Sequence, residues 1–326
     1  MTIVIWPHPK EWGTDIFLPS MPPEWLGLMR GIASGAEIIT PETDAEALAA
    51  APKAEAWIGR LTPAMFSVAK KLRWVQSPTI GVETLLFPEL IDSNVTITNM
   101  RYLSHDHVAN HVLALFLALC RELPRLWRRQ LQHEWGLPNQ RLRDPAGMTV
   151  LIMGLGAIGI ELIRRFAAMS TTIIGVDPKV LLPPFGVKEV ANPERLPELL
   201  PQVDTVAICA PATPQTVGLF DEAMFKKMRP DAFFINVGRG EIVKLSALER
   251  ALREGWIAGA GLDVFETEPL PKDSALWEME NVIITSHTGG TGPHGEERRV
   301  LVVNENLRRF VTDEPLLTVV DKKQWY

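Results

Sequence analysis

The sequence predicts an α/β protein made of two domains, each a parallel sheet flanked by helices. Three observations predict this fold. The 326 residues exceed the roughly 150 of one common domain. Short apolar runs alternate with helical patterns. A glycine-rich turn at residues 154–159 joins an apolar run to a helical pattern.

The first hundred residues contain five short apolar runs separated by helical windows, which predicts the first parallel sheet. The predicted strands are Ile3–Trp6, Glu37–Thr40, Ala56–Ile58, Arg73–Gln76 and Val95–Thr98. The helical windows lie near residues 23–34, 43–50, 62–71 and 83–91. One long helix is then predicted from the capping residues Ser104 and Asp106 through Leu126.

A second series of strands begins at Thr149 and predicts the second sheet. Its members are Thr149–Met153, Thr171–Val176, Thr205–Ile208, Ala232–Val237, Ile257–Leu262 and Val282–Thr285. A helix is predicted from Ile158 to Met169, directly after the glycine turn, and a last helix spans about residues 296–310.

Composition and charge exclude several classes of protein. The apolar content of 46% and charged content of 22% are those of a globular chain. A net charge of −6 lacks the basic excess of nucleic-acid-binding proteins. Two cysteines fit a reducing compartment, and the longest apolar run, Val112–Cys120, is too short to span a bilayer. The N-terminal apolar run stops at Pro7, so we expect no signal peptide, no membrane contact and a cytoplasmic location.

Residues suited to ligand binding follow all six predicted strands of the second series. Ligands bind at the carboxyl ends of the strands in open α/β sheets. This edge of the second sheet is therefore predicted to form a binding site. The residues are Gly154-Leu155-Gly156, Asp177, Cys209-Ala210-Pro211, Gly238-Arg239-Gly240, Asp263 and His287.

The run Gly154–Gly159 matches the GxGxxG pattern of dinucleotide-binding turns, in the strand–turn–helix context that the pattern requires. Its glycines permit the tight turn, the approach of a pyrophosphate and close helix packing, and the helix N-terminus supplies amide donors. Asp177 ends the next strand, where an acid binds the ribose hydroxyls and disfavours a 2′-phosphate. NAD is therefore favoured, although the nearby Lys179 keeps NADP open. A glycine turn without a ligand and a simple turn role for Asp177 are the alternatives.

Three ionisable positions could carry chemistry at this edge. Arg239 lies between two glycines, and its planar fork suits a carboxylate. His287 can exchange protons near neutral pH. Either Glu266 or Glu268 could orient that histidine, and the residues alone do not choose between them.

These motifs together resemble the D-isomer-specific 2-hydroxyacid dehydrogenases. The resemblance rests on residues 154–159, 236–240, 261–270 and 286–287, with 73–82 and 317–323 resembling the substrate loop and C-terminal segment. It implies that Arg239 binds the substrate carboxylate and carbonyl, that His287 is the acid/base, and that Glu268 is its partner. It also implies that Asp263 lies near the nicotinamide carboxamide, and that the Ile80-Gly81 amides hold the substrate carboxylate.

The residues predicted to contact the cofactor lie in the glycine turn and in the loops after the later strands. They are Gly154, Gly156, Ala157, Ile158, Gly159, Asp177, Ala210, Pro211, Thr216, Val237, Gly238, Arg239, Asp263, His287, Gly289 and Gly290. No metal is expected, because His107 and His111 share a helix face but lack a nearby third ligand.

The resemblance also implies two Rossmann-like domains with the active site in the cleft between them. An NAD-binding domain of residues 102–287 is inserted into a substrate-binding domain of residues 1–101 and 288–326, and a homodimer forms through the long helix near 106–130. The expected activity is hydride transfer between NAD(H) and a small D-2-hydroxy or 2-oxo acid. Two alternatives stay open: an NADP-preferring glyoxylate/hydroxypyruvate reductase and a non-catalytic NAD-sensing interaction protein.

Overall fold

The computed structural model describes residues 1–6, 23–136 and 141–326, which form two compact units. The first unit consists of Met1–Leu103 with Gly292–Tyr326, and the second of Ser104–Thr291. Each unit contains one parallel sheet with helices on its faces, which confirms the predicted fold class.

The first unit has a five-stranded parallel sheet in the order β2-β1-β3-β4-β5. Its strands are β1 (Thr2–Trp6), β2 (Glu37–Ile39), β3 (Ala56–Gly59), β4 (Trp74–Gln76) and β5 (Thr96–Thr98). Its helices are α1 (Pro23–Ile32), α2 (Asp44–Ala50), α3 (Pro63–Val68), α4 (Pro88–Ile91) and the last helix of the chain, Gly295–Val311, which is α11 in chain order.

The second unit has a seven-stranded parallel sheet in the order β12-β11-β10-β9-β6-β7-β8. Its strands are β6 (Thr149–Met153), β7 (Thr172–Val176), β8 (Glu189–Ala191), β9 (Thr205–Ile208), β10 (Phe233–Asn236), β11 (Gly259–Leu262) and β12 (Val282–Ile284). Its helices are α5 (His105–Cys120), α6 (Leu123–Leu131), α7 (Ala157–Ala168), α8 (Leu196–Leu199), α9 (Glu222–Phe225) and α10 (Leu245–Arg253).

Alternation along the central strand β6 shows how this sheet is covered on both faces. Val150 and Ile152 belong to the apolar cluster that includes residues of α5 and α7. Leu151 and Met153 belong to the cluster on the other face, with residues of α8, α9 and α10. Because successive side chains of a strand point to opposite faces, a strand covered on both sides is apolar throughout.

The carboxyl ends of six strands of this sheet are aligned. Their last residues are Cα partners in one continuous row: Val176, Met153, Ile208, Asn236, Leu262 and Ile284. Neighbouring strands lie about 4.8 Å apart, so strand ends two places apart are separated by about 10 Å. The loops that follow these strands therefore share one edge.

The single long helix predicted through Leu126 is wrong, because the segment forms two helices, α5 and α6. The helical path breaks at Glu122, which has a left-handed φ of 52°. Pro124 lacks the N–H that would continue the helix to the carbonyl of Cys120. That carbonyl instead accepts a hydrogen bond from the Arg143 amide at 2.9 Å.

Two shorter segments also differ from the predictions. Strand β8 was not predicted, because it has three residues, lies at the sheet edge and is only partly buried. The helical window 83–91 is a 3₁₀ turn, Glu83–Leu85, followed by α4, because Pro88 can occupy only the first turn of a helix.

Among the described residues, no helix is both long and apolar enough to cross a membrane. Pro7, on which the signal-peptide expectation partly rests, lies outside the described residues. Within those same ranges, no three His, Cys, Asp or Glu side chains group as metal ligands do.

Candidate active site

Two glycines of the turn after β6 are required by the packing of the protein itself. Gly154 has a φ of +94°, and a Cβ there would lie 2.8 Å from the amide nitrogen of Ala210. A Cβ on Gly159 would lie 2.1 Å from the carbonyl oxygen of Gly154. Both positions therefore exclude any side chain, and they bring α7 and the β9 loop against the turn.

The middle glycine, Gly156, is not required by packing. Its φ of −73° suits any residue, and a Cβ there would meet no described atom within 4 Å. The open space lies at the N-terminus of α7, whose first amides have no partner within the helix. A pyrophosphate fits such a place because the amides and the helix dipole favour an anion.

This contrast between Gly156 and Gly159 predicts two different outcomes for the same substitution. Gly156→Ala should unfold at nearly the wild-type temperature yet bind NADH at least about tenfold more weakly, because its methyl group would enter the open space that is expected to hold the pyrophosphate. Gly159→Ala should lose about 1–3 kcal/mol of unfolding free energy through overpacking. Thermal unfolding and NADH titration measure both. Unchanged NADH affinity in Gly156→Ala would contradict a cofactor at this turn.

Asp177 joins the glycine turn to the loop after β7. Its Oδ2 accepts a hydrogen bond from the Leu155 amide at 2.8 Å. Its Oδ1 accepts from the amides of Lys179 and Val180 at 2.8 and 3.1 Å. Asp177 therefore holds the turn, as the simple turn role predicts. Because a carboxylate oxygen accepts more than one hydrogen bond, Asp177 can also bind the ribose hydroxyls.

The loop after β9 packs between the glycine turn and the β10 loop. Ala210 meets Gly154 on one side and Gly238 on the other, where a Cβ would lie 2.6 Å from the Ala210 carbonyl oxygen. Thr216 Oγ1 donates to the Pro211 carbonyl at 2.7 Å and accepts from the Thr213 amide at 2.8 Å. Thr216 thus closes the loop that carries Pro211.

Arg239 follows β10 in a turn held by Asn236, a residue that sequence reasoning did not single out as functional. The buried Asn236 accepts from the Gly238 amide at 3.1 Å and donates to the Arg239 carbonyl at 3.0 Å. The Arg239 guanidinium donates to the Gly238 carbonyl at 2.7 Å. A buried asparagine that ends an apolar strand was the available signal, because buried polar side chains need partners. Val237, also predicted at the site, is buried in this turn.

The structure distinguishes the two glutamates near the proposed acid/base. Glu268 Oε2 lies 2.7 Å from His287 Nδ1, and its Oε1 accepts from the Phe265 amide at 2.9 Å. Glu266 Oε2 instead accepts from the amide of Leu245, the first residue of α10. Because an ionised carboxylate only accepts, Nδ1 carries the hydrogen in this pair.

Matched amide variants should separate the roles of these glutamates. Glu268→Gln should lower kcat about tenfold to a hundredfold, because a hydrogen bond to a charged group contributes about 1.5–3 kcal/mol. Glu266→Gln should keep kcat and lose only stability, because its contact is with α10. Steady-state kinetics and thermal unfolding of both variants provide the measurement. Equal losses of kcat would contradict the assignment of Glu268.

The turn that carries His287 is wrapped around Asp263, which is only 2% exposed. The amides of His287, Thr288 and Gly289 donate to the Asp263 carbonyl, Oδ1 and Oδ2 at 2.8, 2.9 and 2.9 Å. His287 has a left-handed φ of 54°, and successive amides in such a turn form a cradle for an anion. The anion that fills this cradle is Asp263.

The small residues after His287 lie in close contact with their neighbours. A Cβ on Gly289 would lie 2.8 Å from Asp263 Oδ2, and one on Gly290 would lie 3.2 Å from Ser104 Oγ. A side chain at Gly289 would therefore displace the carboxylate that holds the turn.

Ile80 and Gly81 lie in the first unit, in the loop after β4, whereas the other predicted site residues lie in the second. The Ile80 carbonyl accepts from Asn99 Nδ2 at 2.8 Å, and the Gly81 carbonyl accepts from Thr79 Oγ1 at 2.6 Å. The loop is thus held through its carbonyls.

Within the second unit, the predicted residues share the aligned sheet edge. Asp177, Gly154, Ala210, Arg239, Asp263 and His287 all follow strands whose ends form the continuous row. The arrangement joins a dinucleotide-type turn at one end of the row to a cation and a paired histidine at the other. Such an edge can hold an anionic cofactor and exchange a proton with a small acid.

Comparison with known proteins agrees with this arrangement. Residues 113–289 match the model of the NAD binding domain of D-isomer specific 2-hydroxyacid dehydrogenase. The glyoxylate reductase of Korarchaeum cryptofilum is 32% identical over 254 residues, covering 77% of this chain and 76% of that protein. The D-3-phosphoglycerate dehydrogenase of Mycobacterium tuberculosis is 31% identical over 278 residues, or 84% of this chain. That match covers 52% of the relative, so the chain spans about half its length.

Solved structures show the same likeness over the full chain. The NADPH-dependent glyoxylate/hydroxypyruvate reductase of Sinorhizobium meliloti, in complex with NADP and sulfate, has a TM-score of 0.83, 27% identity and 100% coverage of both chains. A D-isomer specific 2-hydroxyacid dehydrogenase of Xanthobacter autotrophicus, in complex with NADPH and MES, has a TM-score of 0.81, 27% identity and 99% coverage of both. The chain belongs to the D-isomer-specific 2-hydroxyacid dehydrogenase family and is an oxidoreductase with a nicotinamide-dinucleotide-binding domain.

Proposed function

We propose that the protein reduces small 2-oxo acids to D-2-hydroxy acids with NADH, with Arg239, Glu268 and His287 as its catalytic group. One observation carries the proposal: the 2.7 Å contact between His287 Nδ1 and Glu268 Oε2 on a turn held around Asp263. A paired histidine on a rigid turn is what general acid catalysis requires. Arg239 follows a strand end two places away, about 10 Å along the same edge.

Each residue then has a chemical task. The Arg239 guanidinium binds the substrate carboxylate through its fork and polarises the C2 carbonyl. His287 donates a proton from Nε2 to the carbonyl oxygen, and Glu268 stabilises the histidine cation beforehand. The Ile80 and Gly81 amides bind the substrate carboxylate. A reduced nicotinamide, when bound, supplies the hydride that adds to C2.

The residues that would hold the cofactor fall into three groups on the sheet edge. Gly154, Gly156, Ala157, Ile158 and Gly159 would bind the pyrophosphate at the start of α7. Asp177 would bind the ribose hydroxyls. The loops after β9, β10 and β12 would surround the nicotinamide half through Ala210, Pro211, Thr216, Val237, Gly238, Asp263, Gly289 and Gly290.

The preference for NAD rests on the charge of Asp177. Its Oδ1 accepts hydrogen bonds from the amides of Lys179 and Val180 in the loop after β7. An acid at the end of this strand is expected to bind the ribose hydroxyls and to repel a 2′-phosphate, which supports NAD over NADP. An NADP-preferring glyoxylate/hydroxypyruvate reductase is the second candidate. Lys179 and the NADP bound by the Sinorhizobium meliloti reductase favour it.

We further propose that residues 102–287 bind the cofactor, that residues 1–101 and 288–326 bind the substrate, and that the enzyme is a cytoplasmic homodimer. The segment 106–130 would form the dimer interface. Its second helix, α6, exposes Trp127, and Leu131 beside it is 82% exposed. Large apolar side chains on a surface favour association. Light scattering of the wild type and of Trp127→Glu/Leu131→Glu tests this, and an unchanged mass for the variant would contradict it.

A substrate panel tests the activity and the cofactor preference together. Glyoxylate, hydroxypyruvate, pyruvate and phenylpyruvate are each supplied with NADH or NADPH, and absorbance at 340 nm is followed. We expect turnover with at least one acid and a higher kcat/KM with NADH. Higher kcat/KM with NADPH would favour the second candidate. NADH binding without turnover on any acid would instead support a non-catalytic sensing protein.

A further inference from the structure

A histidine outside the proposed catalytic group contacts the turn that carries His287. His111, on α5, has its Nε2 2.8 Å from Thr285 Oγ1 and 3.5 Å from Asp263 Oδ1. Thr285 directly follows β12, and its Oγ1 donates to Asp263 Oδ1 at 2.6 Å. Side chains from α5, from the end of β11 and from the end of β12 therefore form a continuous chain of hydrogen bonds.

Counting hydrogens assigns a direction to this chain. A threonine hydroxyl has one hydrogen, and the short contact directs it to the Asp263 carboxylate, which only accepts. The Thr285 oxygen is then the acceptor for His111, so His111 Nε2 must carry a hydrogen. If Thr285 Oγ1 donated to His111 Nε2 instead, its hydrogen would point away from Asp263.

The Asp263 carboxylate requires these hydrogen-bond donors because it is buried. A buried carboxylate is costly unless it is hydrogen-bonded. Its Oδ1 receives Thr285 Oγ1 and the Thr288 amide, while Oδ2 receives the Gly289 amide. The orientation that satisfies Thr285 also aims the carboxylate at the turn amides.

The His111 ring also lies against the turn itself. A Cβ on Gly289 would be 3.2 Å from His111 Cδ2 and 2.8 Å from Asp263 Oδ2. The ring and the carboxylate therefore occupy the space beside Gly289 from two sides. Movement of either one changes the room available to the residues that follow His287.

We propose that His111 is a positioning residue for catalysis, acting through Thr285 and Asp263 to hold the turn on which His287 faces Glu268. This inference rests on the proposed function, because it assigns His111 to the support of His287. In this role the His111 side chain does not contact the reacting atoms. Its effect is on kcat through the geometry of the turn, with the cofactor turn at β6 left intact.

Side-chain length makes the role testable at position 111. The amide nitrogen of glutamine reaches about as far from the backbone as Nε2 of histidine, whereas that of asparagine corresponds to Nδ1. His111→Gln should therefore keep most of the wild-type kcat, and His111→Asn and His111→Leu should each lower it about tenfold or more. The NADH dissociation constant should change less than kcat in all three, because the glycine turn, where the pyrophosphate is expected to bind, lies outside this chain of hydrogen bonds.

Position 285 gives the matched series. Thr285→Val removes the hydroxyl at nearly constant shape and should lower kcat about as much as His111→Leu does. Thr285→Ser keeps the hydroxyl and should therefore keep kcat near the wild-type value. The His111→Leu/Thr285→Val double variant should be no slower than the slower single variant, because both break the same chain. Asn110→Leu is the control: it lies next to His111 on α5, but its side chain contacts Arg165 and should leave kcat unchanged.

Four results would overturn the proposal: wild-type kcat in His111→Leu, equal losses in His111→Gln and His111→Leu, losses that multiply in the double variant, and a slow Asn110→Leu. Thermal unfolding of each variant identifies those that do not fold, and the Thr285→Val and Thr285→Ser pair then decides. His287→Gln distinguishes the two hypotheses. An active His287→Gln contradicts the proposed function, whereas an inactive one beside a fully active His111→Leu contradicts only the role of His111.

Discussion

His287→Gln is expected to lower kcat for 2-oxo acid reduction by about 10²–10⁴-fold while NADH still binds. Glutamine can occupy much of the space of the imidazole, but its amide cannot deliver a proton. Proton transfer by a positioned side chain contributes about 10²–10⁴-fold to a rate. The measurement is single-turnover oxidation of bound NADH in rapid mixing with the preferred 2-oxo acid.

Two controls make the His287 result decisive. The NADH dissociation constant, measured by fluorescence titration, should change little, since the glycine turn at β6 is the principal expected cofactor contact. Thermal unfolding should stay close to wild type, because the His287 side chain is 35% exposed and the turn is held through backbone amides. Turnover within a few-fold of wild type would remove His287 from the mechanism.

Arg239→Ala is expected to lower kcat/KM by about 10²–10³-fold, the loss that follows removal of one preorganised donor to a developing charge. The turn should survive without the guanidinium contact to the Gly238 carbonyl, because Asn236 still holds it through the Gly238 amide and the Arg239 carbonyl. The loss should appear in both KM for the acid and kcat, because the same group binds the carboxylate and polarises the carbonyl.

Arg239→Lys separates charge from geometry. Lysine keeps the positive charge but lacks the planar fork, so it should recover only part of the lost kcat/KM. Millimolar guanidinium added to Arg239→Ala should also restore some turnover by occupying the vacated space. Full activity of Arg239→Lys would show that two-point binding is unnecessary, and full activity of Arg239→Ala would exclude the residue from substrate binding.

The elements that the sequence predicts correctly are those with a local pattern of apolar and turn residues. All eleven predicted strands are present because an apolar run between turn residues is a local signal, and the row of strand ends follows from parallel pairing. The break in the long helix lies at Glu122 and Pro124; the proline was a local signal, but the left-handed φ of Glu122 has no sequence pattern of its own. Strand β8 is formed by pairing with β7 and had little pattern of its own.

The features of the site that depend on contacts between residues far apart in the sequence could not be predicted from local patterns. Residue chemistry alone left Glu266 and Glu268 open, and the resemblance implied Glu268. The path of the chain turns Glu266 to the start of α10 and Glu268 to His287. His111 and Thr285 are 174 positions apart, so no spacing rule connects them. Asp263 was placed near the nicotinamide by resemblance, and the structure adds that its carboxylate holds the turn of His287.

Isotope transfer from the cofactor shows directly whether the enzyme moves a hydride to C2 of a 2-oxo acid. The enzyme is supplied with NADH deuterated at the transferable C4 position and with a 2-oxo acid from the panel that gives a chiral product, and the product is analysed by mass spectrometry and chiral chromatography. We expect a D-2-hydroxy acid with one deuterium at C2, formed by wild type and lost in His287→Gln. Product of the L configuration, product without deuterium, or bound cofactor with no product would contradict it.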